Sequence, residues 1–192
     1  MTRPRPEIWW QPWIAMALTA LTAVIALRLE GRLWICATDS FALWTSDAWG
    51  RQNSQQLFDP YTFTHISHGL LLCAPLVWLL PRWSPGWRLA LACGLETVWE
   101  IVENSAFTID RYRDTTAAIG YTGDTVINAL GDILACGIGF VVADKLGWRW
   151  ALAIFLLMEV MLALWIRDNL ILNVVMLLWP IEGIKAWQAG HI

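Results

Sequence analysis

Glu96, Glu100 and Glu103 stand at i, i+4 and i+7 in an otherwise apolar stretch. At 3.6 residues per turn this places the three carboxylates within roughly 60° of one another on one helix face. Asp124, Asn128 and Asp132 repeat the device at i, i+4 and i+8, and Thr64, His65 and His68 open a third apolar stretch with two imidazoles one turn apart. Two imidazoles with several carboxylates are a ligand set for zinc, iron or manganese, and inward-facing Glu and His on packed helices are how bundle-core metal sites are built. The candidate ligands of a divalent metal are His65, His68, Glu100, Glu103 and Asp124. The spacings Glu-x-x-His and HExxH are both absent. A metal-free alternative therefore stays open, in which carboxylates act as general acid and base with pKa values separated by burial and mutual repulsion. Its candidates are Glu96, Glu100, Glu103, Asp124, Asn128 and Asp132.

Between the Glu96–Glu103 stripe and the Asp124–Asp132 stripe runs DRYRDTTAAIGYTGD, which brings Arg111, Arg113 and Tyr121 to the mouth of a pocket formed by the three polar faces. Arginine forks suit phosphate or carboxylate, so these three residues are candidates for binding an anionic headgroup. The competing reading is that both arginines neutralise Asp110, Asp114 or Glu103 and snorkel to the interface. Gly123–Asp124 falls short of the Gly-x-Gly-Asp pattern of intramembrane aspartyl proteases because Tyr121 stands at the first glycine position. No nucleophile elbow, phosphate-binding loop or dinucleotide fingerprint is present.

The elements that carry these residues must be transmembrane helices. Of 192 residues 57% are hydrophobic and only 15% charged, the mean hydropathy is +0.49, and fifteen residues are tryptophan, against about 25% charged in an average soluble protein. A net charge of −3 with scattered Lys and Arg gives no basic face for nucleic acid. The expected fold is all-α, one integral membrane domain over 1–192, with spans at about 13–29, 63–80, 88–106, 123–143 and 149–166. The segment 168–187 fits a sixth crossing or a re-entrant element, since it is apolar for only about a dozen residues before Pro180 and Glu182. Cys73, Cys93 and Cys136 lie inside spans as small hydrophobes, and Gly131, Gly137 and Gly139 allow close helix packing.

Arg3, Arg5, Arg82, Arg88, Lys145 and Arg149 fall on one side of this topology. On the other, Arg32, Arg51, Arg111, Arg113 and Arg167 are interleaved with the loop charges Asp39, Asp47, Asp59, Asp110, Asp114 and Asp168. The first side is therefore expected to be cytoplasmic together with the N-terminus, by a modest bias. The first apolar run has no cleavage site after it and reads as a retained span. Residues 30–62 and 107–122 are then external, and the first, with Trp34, Trp44 and Trp49, is expected to lie on the membrane surface as an aromatic belt. His65, Glu103 and Asp124 come out near the outer surface and Glu96 and Asp132 deeper, so the polar pocket opens outward. Intramembrane carboxylates cost at least about 2.5–3.5 kcal/mol each at mid-bilayer, and a functional site is the reading such groups call for.

The segments HGLLLCAPL, ETVWEIVENSAFTIDRYR, YTGDTVINALGDILACGIGF and RDNLILNVVMLLWPIEGIKAWQ resemble a bacterial family of inner-membrane proteins known only as a domain of unknown function. The chain also resembles, more distantly, the VanZ-like superfamily. That resemblance implies a His near one span start, a Glu in the next span, and an Asp with an Asn four residues later, matched here by His68, Glu96 or Glu100, Asp124 and Asn128. It also implies a role at the cell envelope.

These readings converge on a multi-pass protein of the bacterial inner membrane that binds or acts on an anionic lipid or a lipid-linked envelope precursor. Two other classes stay open. One is a proton- or ion-coupled carrier, since ladders of Asp, Glu and His also move protons. The other is a non-catalytic scaffold or assembly subunit whose buried acids fix helix pairing.

Overall fold

A computed structural model of the chain describes residues 9–38, 41–118 and 120–190. Arg3 and Arg5, used above for orientation, and Asp39 of the external connection lie outside the described residues. Among the described residues every regular element is a helix: α1 (Gln11–Leu29), α2 (Thr62–Leu79), α3 (Pro85–Glu103), α4 (Ala106–Thr115), α5 (Val126–Leu146), α6 (Trp148–Trp165), α7 (Leu170–Leu178) and α8 (Glu182–Ala189). Four of them, α1, α2, α5 and α6, are long and apolar enough to cross a membrane. The chain is thus an all-helical membrane protein by length and composition.

Helix α3 differs from those four in chemistry and not in length. It has 19 residues, as α1 does, but carries Arg88, Glu96, Glu100 and Glu103. Apolar composition therefore does not mark it as the third of five spans that its position implied. The segment 168–187 is not one long helix. It forms α7 of nine residues and α8 of eight, interrupted at Pro180, which lacks the N–H a continuing helix needs. At about 1.5 Å per residue α7 is less than half the length that a hydrocarbon core of about 30 Å requires. The connection 107–122 contains α4, started by the Ser105 hydroxyl accepting from Thr108 N–H at 3.4 Å.

Helix α2 packs most extensively on α5, while α3 sits among α1, α5 and α2. The α2/α5 contact is close because glycines meet backbone. A Cβ on Gly69 would strike the Cys136 carbonyl, and one on Gly139 would strike the Ile66 carbonyl. Gly131 likewise admits the Leu57 carbonyl, which draws the connection before α2 onto α5. These glycines are thus packing positions. The apolar core is built from Leu70, Cys73, Leu76, Ala92, Phe140, Ala143, Ala151, Phe155 and Met158. It lies toward the end where α2 leads into α3 and where Gly147, at φ +82°, turns α5 directly into α6. The opposite half of the bundle holds the polar residues.

The connection between α1 and α2 folds partly over that polar end. Ser54 carbonyl accepts from Thr125 N–H at 3.0 Å, Gln56 carbonyl accepts from Asn128 Nδ2 at 2.9 Å, and Ala48 packs with Leu162 and Ile166. Trp34, Phe41, Leu43 and Trp44 of the same connection remain exposed.

Candidate functional site

The polar faces of α2, α3 and α5 meet. His65, in the first turn of α2, places Nδ1 2.6 Å from Glu96 Oε1 on α3 and 3.3 Å from Glu100 Oε1. Its Nε2 lies 3.8 Å from Asp132 Oδ2 on α5. One turn further along α2, His68 Nδ1 lies 2.9 Å from both Glu96 oxygens. Glu96 thus holds two imidazoles, and a single carboxylate sets the orientation of both rings. The helical spacing that put Glu96 and Glu100 on one face is what delivers them to α2.

Glu96, Glu100, Asp132, Asn128 and Asp124 are all buried, with Glu100 at 0% exposure. They are not equally served by partners. Neither Glu100 oxygen, nor Asp132 Oδ1, nor Glu103 Oε2 has a hydrogen-bond partner. No Lys or Arg forms a salt bridge with any of these acids among the described residues. Buried carboxylates without partners cost free energy unless something neutralises or solvates them.

A cavity of about 760 Å³ opens beside this cluster. His65, His68, Glu103, Tyr121, Asp124, Asn128 and Asp132 line it, whereas Glu96 and Glu100 stand behind its wall. Apolar side chains line it too, from Leu71 on α2, Phe155 on α6, and Leu170, Ile171, Val174 and Leu177 on α7. Arg111 and Arg113 are not among the lining residues. Arg111 Nε donates to the Leu177 carbonyl at 2.9 Å and so ties α4 to α7, and Arg113 Nε donates to the Tyr121 carbonyl at 2.5 Å. The guanidinium in the lining is that of Arg51.

Sequence reasoning passed over several residues of the site. Asp59, read only as a loop charge, is buried. It accepts from Ser54 N–H and Tyr61 N–H, each at 2.8 Å, and from Asn128 Nδ2 at 3.4 Å. Burial raises its pKa, and the two backbone donors counter part of that rise. Asp124 is likewise raised by burial and held back by the side chains of Asn104 and Tyr121. Asp168 reaches about 7, driven by burial and countered by the hydroxyl of Tyr61, which donates to it at 2.9 Å. Asn104 continues the Glu96, Glu100 spacing by one more turn, so extending the stripe past the acids would have found it. Asp59, Tyr61 and Tyr112 gave no such signal, because they enter from connections and short helices whose docking depends on tertiary packing.

Residues 27–190 match the model of a family described as a protein of unknown function, DUF2585. Curated relatives, each a UPF0314 protein, extend the match. The chain is 45% identical over 181 residues to that of Sphingopyxis alaskensis, covering 92% of this chain and 94% of the relative. It is 44% identical over 179 residues to that of Paracoccus denitrificans, with 93% of each covered. The protein of Brucella anthropi is 44% identical over 178 residues, covering 92% of this chain and 90% of its own. The chain belongs to this family. No solved structure matches it. Neither the family description nor the names of these relatives state an activity, so chemistry must be argued from the cavity.

Proposed function

We propose that this protein is a multi-pass protein of the bacterial inner membrane whose His/carboxylate site binds or acts on the headgroup of an anionic lipid or lipid-linked envelope precursor. The observation that carries this reading is a cavity lined both by polar and charged side chains of α2, α3 and α5 and by apolar side chains of α6 and α7. His65, Glu103, Asp124 and Asp132 offer hydrogen-bonding groups to the hydroxyls or amide of a headgroup, and Phe155, Leu170, Ile171 and Val174 suit an acyl or prenyl chain. A smaller hollow between α2 and α3, lined by His68, Leu71, Leu72, Leu95, Glu96 and Trp99, gives a flank entry of the kind a bilayer-borne ligand needs.

In this reading α3 is a fifth crossing, its acids facing α2 and α5, and α7 with α8 is re-entrant or interfacial. The N-terminus is cytoplasmic and the cavity opens outward, because Arg82, Arg88, Lys145 and Arg149 gather at the opposite end. Glu100 and Glu103 serve as acid/base groups, His65 and His68 as proton shuttles, and Asp124, Asn128 and Asp132 as their partners. Arg51 supplies positive charge from the lining, with Arg111, Arg113 and Tyr121 shaping the mouth. The residues behind the VanZ-like resemblance lie in or beside the cavity, and the 2.9 Å contact of His68 with Glu96 supports Glu96 as the glutamate of that pattern. A purely structural role is disfavoured by Glu100 and Asp132, which leave buried oxygens without a hydrogen bond.

Native mass spectrometry of the full chain released from nanodiscs tests the proposal. The wild type should retain one anionic lipid per chain, and Val174→Trp, which crowds the apolar lining, should lose it while its circular dichroism is unchanged. Equal lipid retention by the two proteins would overturn the reading.

A further inference from the structure

The carboxylates of the site divide into two groups that share His65. In the first, His65, His68 and Glu96 bring ligand atoms within 4.8 Å of one another, but hydrogen bonds of 2.6 and 2.9 Å already close that triad. In the second, His65, Glu100 and Glu103 also converge within 4.8 Å, and here the atoms are left over. Both Glu100 oxygens and Glu103 Oε2 lack partners, and Asp132 Oδ1 beside them is equally unserved. Glu100 is wholly buried with its Oε1 turned to the His65 ring at 3.3 Å.

Three ways of stabilising such a cluster can be compared. A basic side chain is not at hand, since Arg51 is the one Lys or Arg among the described residues that line the cavity. Protonation removes charge from Glu100 but gives its new O–H no acceptor, because Glu96 already occupies the near side of the imidazole at 2.6 Å. A cation neutralises several carboxylates at once and uses the very oxygens that have no partner. Glu96 takes His65 Nδ1 at 2.6 Å and leaves Nε2, the nitrogen nearer Asp132, for a cation. A carboxylate on the other ring nitrogen is the usual outer support of a metal-bound histidine, fixing its tautomer and orientation.

We infer that His65, Glu100 and Glu103, with Asp132 adjoining, form a binding site for one divalent transition cation of the zinc or manganese class. One imidazole with several carboxylates suits those ions better than a thiolate-seeking or an all-oxygen cation. Glu96 is a positioning residue, holding His65 toward the cation and His68 beside it. The inference deepens the reading above, and rests on it only for what the cation would do. Five carboxylates line the cavity, from Asp59, Glu103, Asp124, Asp132 and Asp168. They would repel an anionic headgroup unless a cation bridged the two.

Metal binding can be read without any lipid. The full chain in mild detergent is stripped with chelator, reloaded with manganese chloride alone, and compared with Glu100→Gln and Glu103→Gln by plasma mass spectrometry and titration. The wild type should hold about one equivalent, and each variant should bind at least about tenfold more weakly. Pulsed electron paramagnetic resonance of the loaded wild type should show nitrogen modulation from one imidazole, a readout that needs no variant to fold. Equal uptake by wild type and both variants, or bound manganese with no nitrogen coupling, would overturn the site. Lipid retention in the nanodisc measurement alongside that result would leave the lipid reading standing on its own.

Discussion

Asn104 and Asp124 hold each other through two hydrogen bonds, Asn104 Nδ2 donating to Asp124 Oδ2 at 2.7 Å and Asp124 N–H donating to Asn104 Oδ1 at 2.6 Å. Asn104 ends α3 and Asp124 stands just before α5. This reciprocal pair therefore sets the distance between the glutamate stripe and the aspartate stripe at the open end of the cavity. Replacing Asn104 by Ala orphans a backbone N–H and a carboxylate oxygen, both buried. The expected loss is about 1–3 kcal/mol for each group left unsatisfied, read as a fall in the urea midpoint in detergent micelles. An unchanged midpoint would mean that water serves the pair as well as Asn104 does.

Glu96 and Glu100 are one turn apart and nearly equally buried, yet their replacements should act in opposite directions. Glu96→Leu keeps the volume but leaves the His65 and His68 rings without their acceptor, at about 1–3 kcal/mol for each orphaned donor. Glu100→Leu removes two oxygens that no hydrogen bond serves, and replacing an uncompensated buried charge by an apolar group of similar size is neutral or stabilising. Melting of the two chelator-treated variants against wild type measures the contrast. Equal destabilisation by both would contradict it.

Asp168 provides a pH signature. Its folded pKa of about 7 lies above the ordinary value of 3.8, chiefly through burial. The folded protein therefore binds more protons than the unfolded chain between those two values. Stability contributed by this group is full below about pH 4 and declines as pH rises toward 7. Asp168→Asn should flatten the fall in melting temperature between pH 5 and pH 7.5. If the slope of the variant equals that of wild type, another buried acid dominates the titration.

How much of this was readable beforehand follows the range of the interactions involved. The stripe of Glu96, Glu100 and Glu103 was legible because helical periodicity is local. The apolar helices α1, α2, α5 and α6 were legible for the same reason. The depths were not, since spacing places Glu96 and Asp132 well below His65, yet both reach its ring, at 2.6 and 3.8 Å. The partition of labour within the stripe was not legible either. Spacing cannot reveal that Glu96 satisfies two rings while Glu100 satisfies none, since that depends on where α2 stands against α3. Nor could it reveal that Asp59 and Ser54 join the site. The tryptophan-rich connection has the composition of a surface element, and the glycine at 131, which admits the Leu57 carbonyl, helps the Ser54 and Gln56 carbonyls draw it onto the start of α5. Arg111 and Arg113 illustrate the converse, where sequence proximity to the mouth did not decide which groups their guanidinium nitrogens reach.

The α7 side of the cavity is fastened from far along the chain. Gln188 on α8 is fully buried and donates to Asp168 at 3.0 Å, and Asp168 in turn receives the hydroxyl of Tyr61 from the start of α2. In order of synthesis, the helices that bear the His and carboxylate groups precede α7 and α8 by tens of residues. The acids of α3 and α5 can thus meet α2 while the side facing α7 still stands open to the bilayer. The cavity is lined by α2, α3, α5 and α6 before α7 closes it, so on the lipid reading proposed above a bilayer-borne molecule would occupy it by being enclosed during biogenesis as well as by entering afterwards.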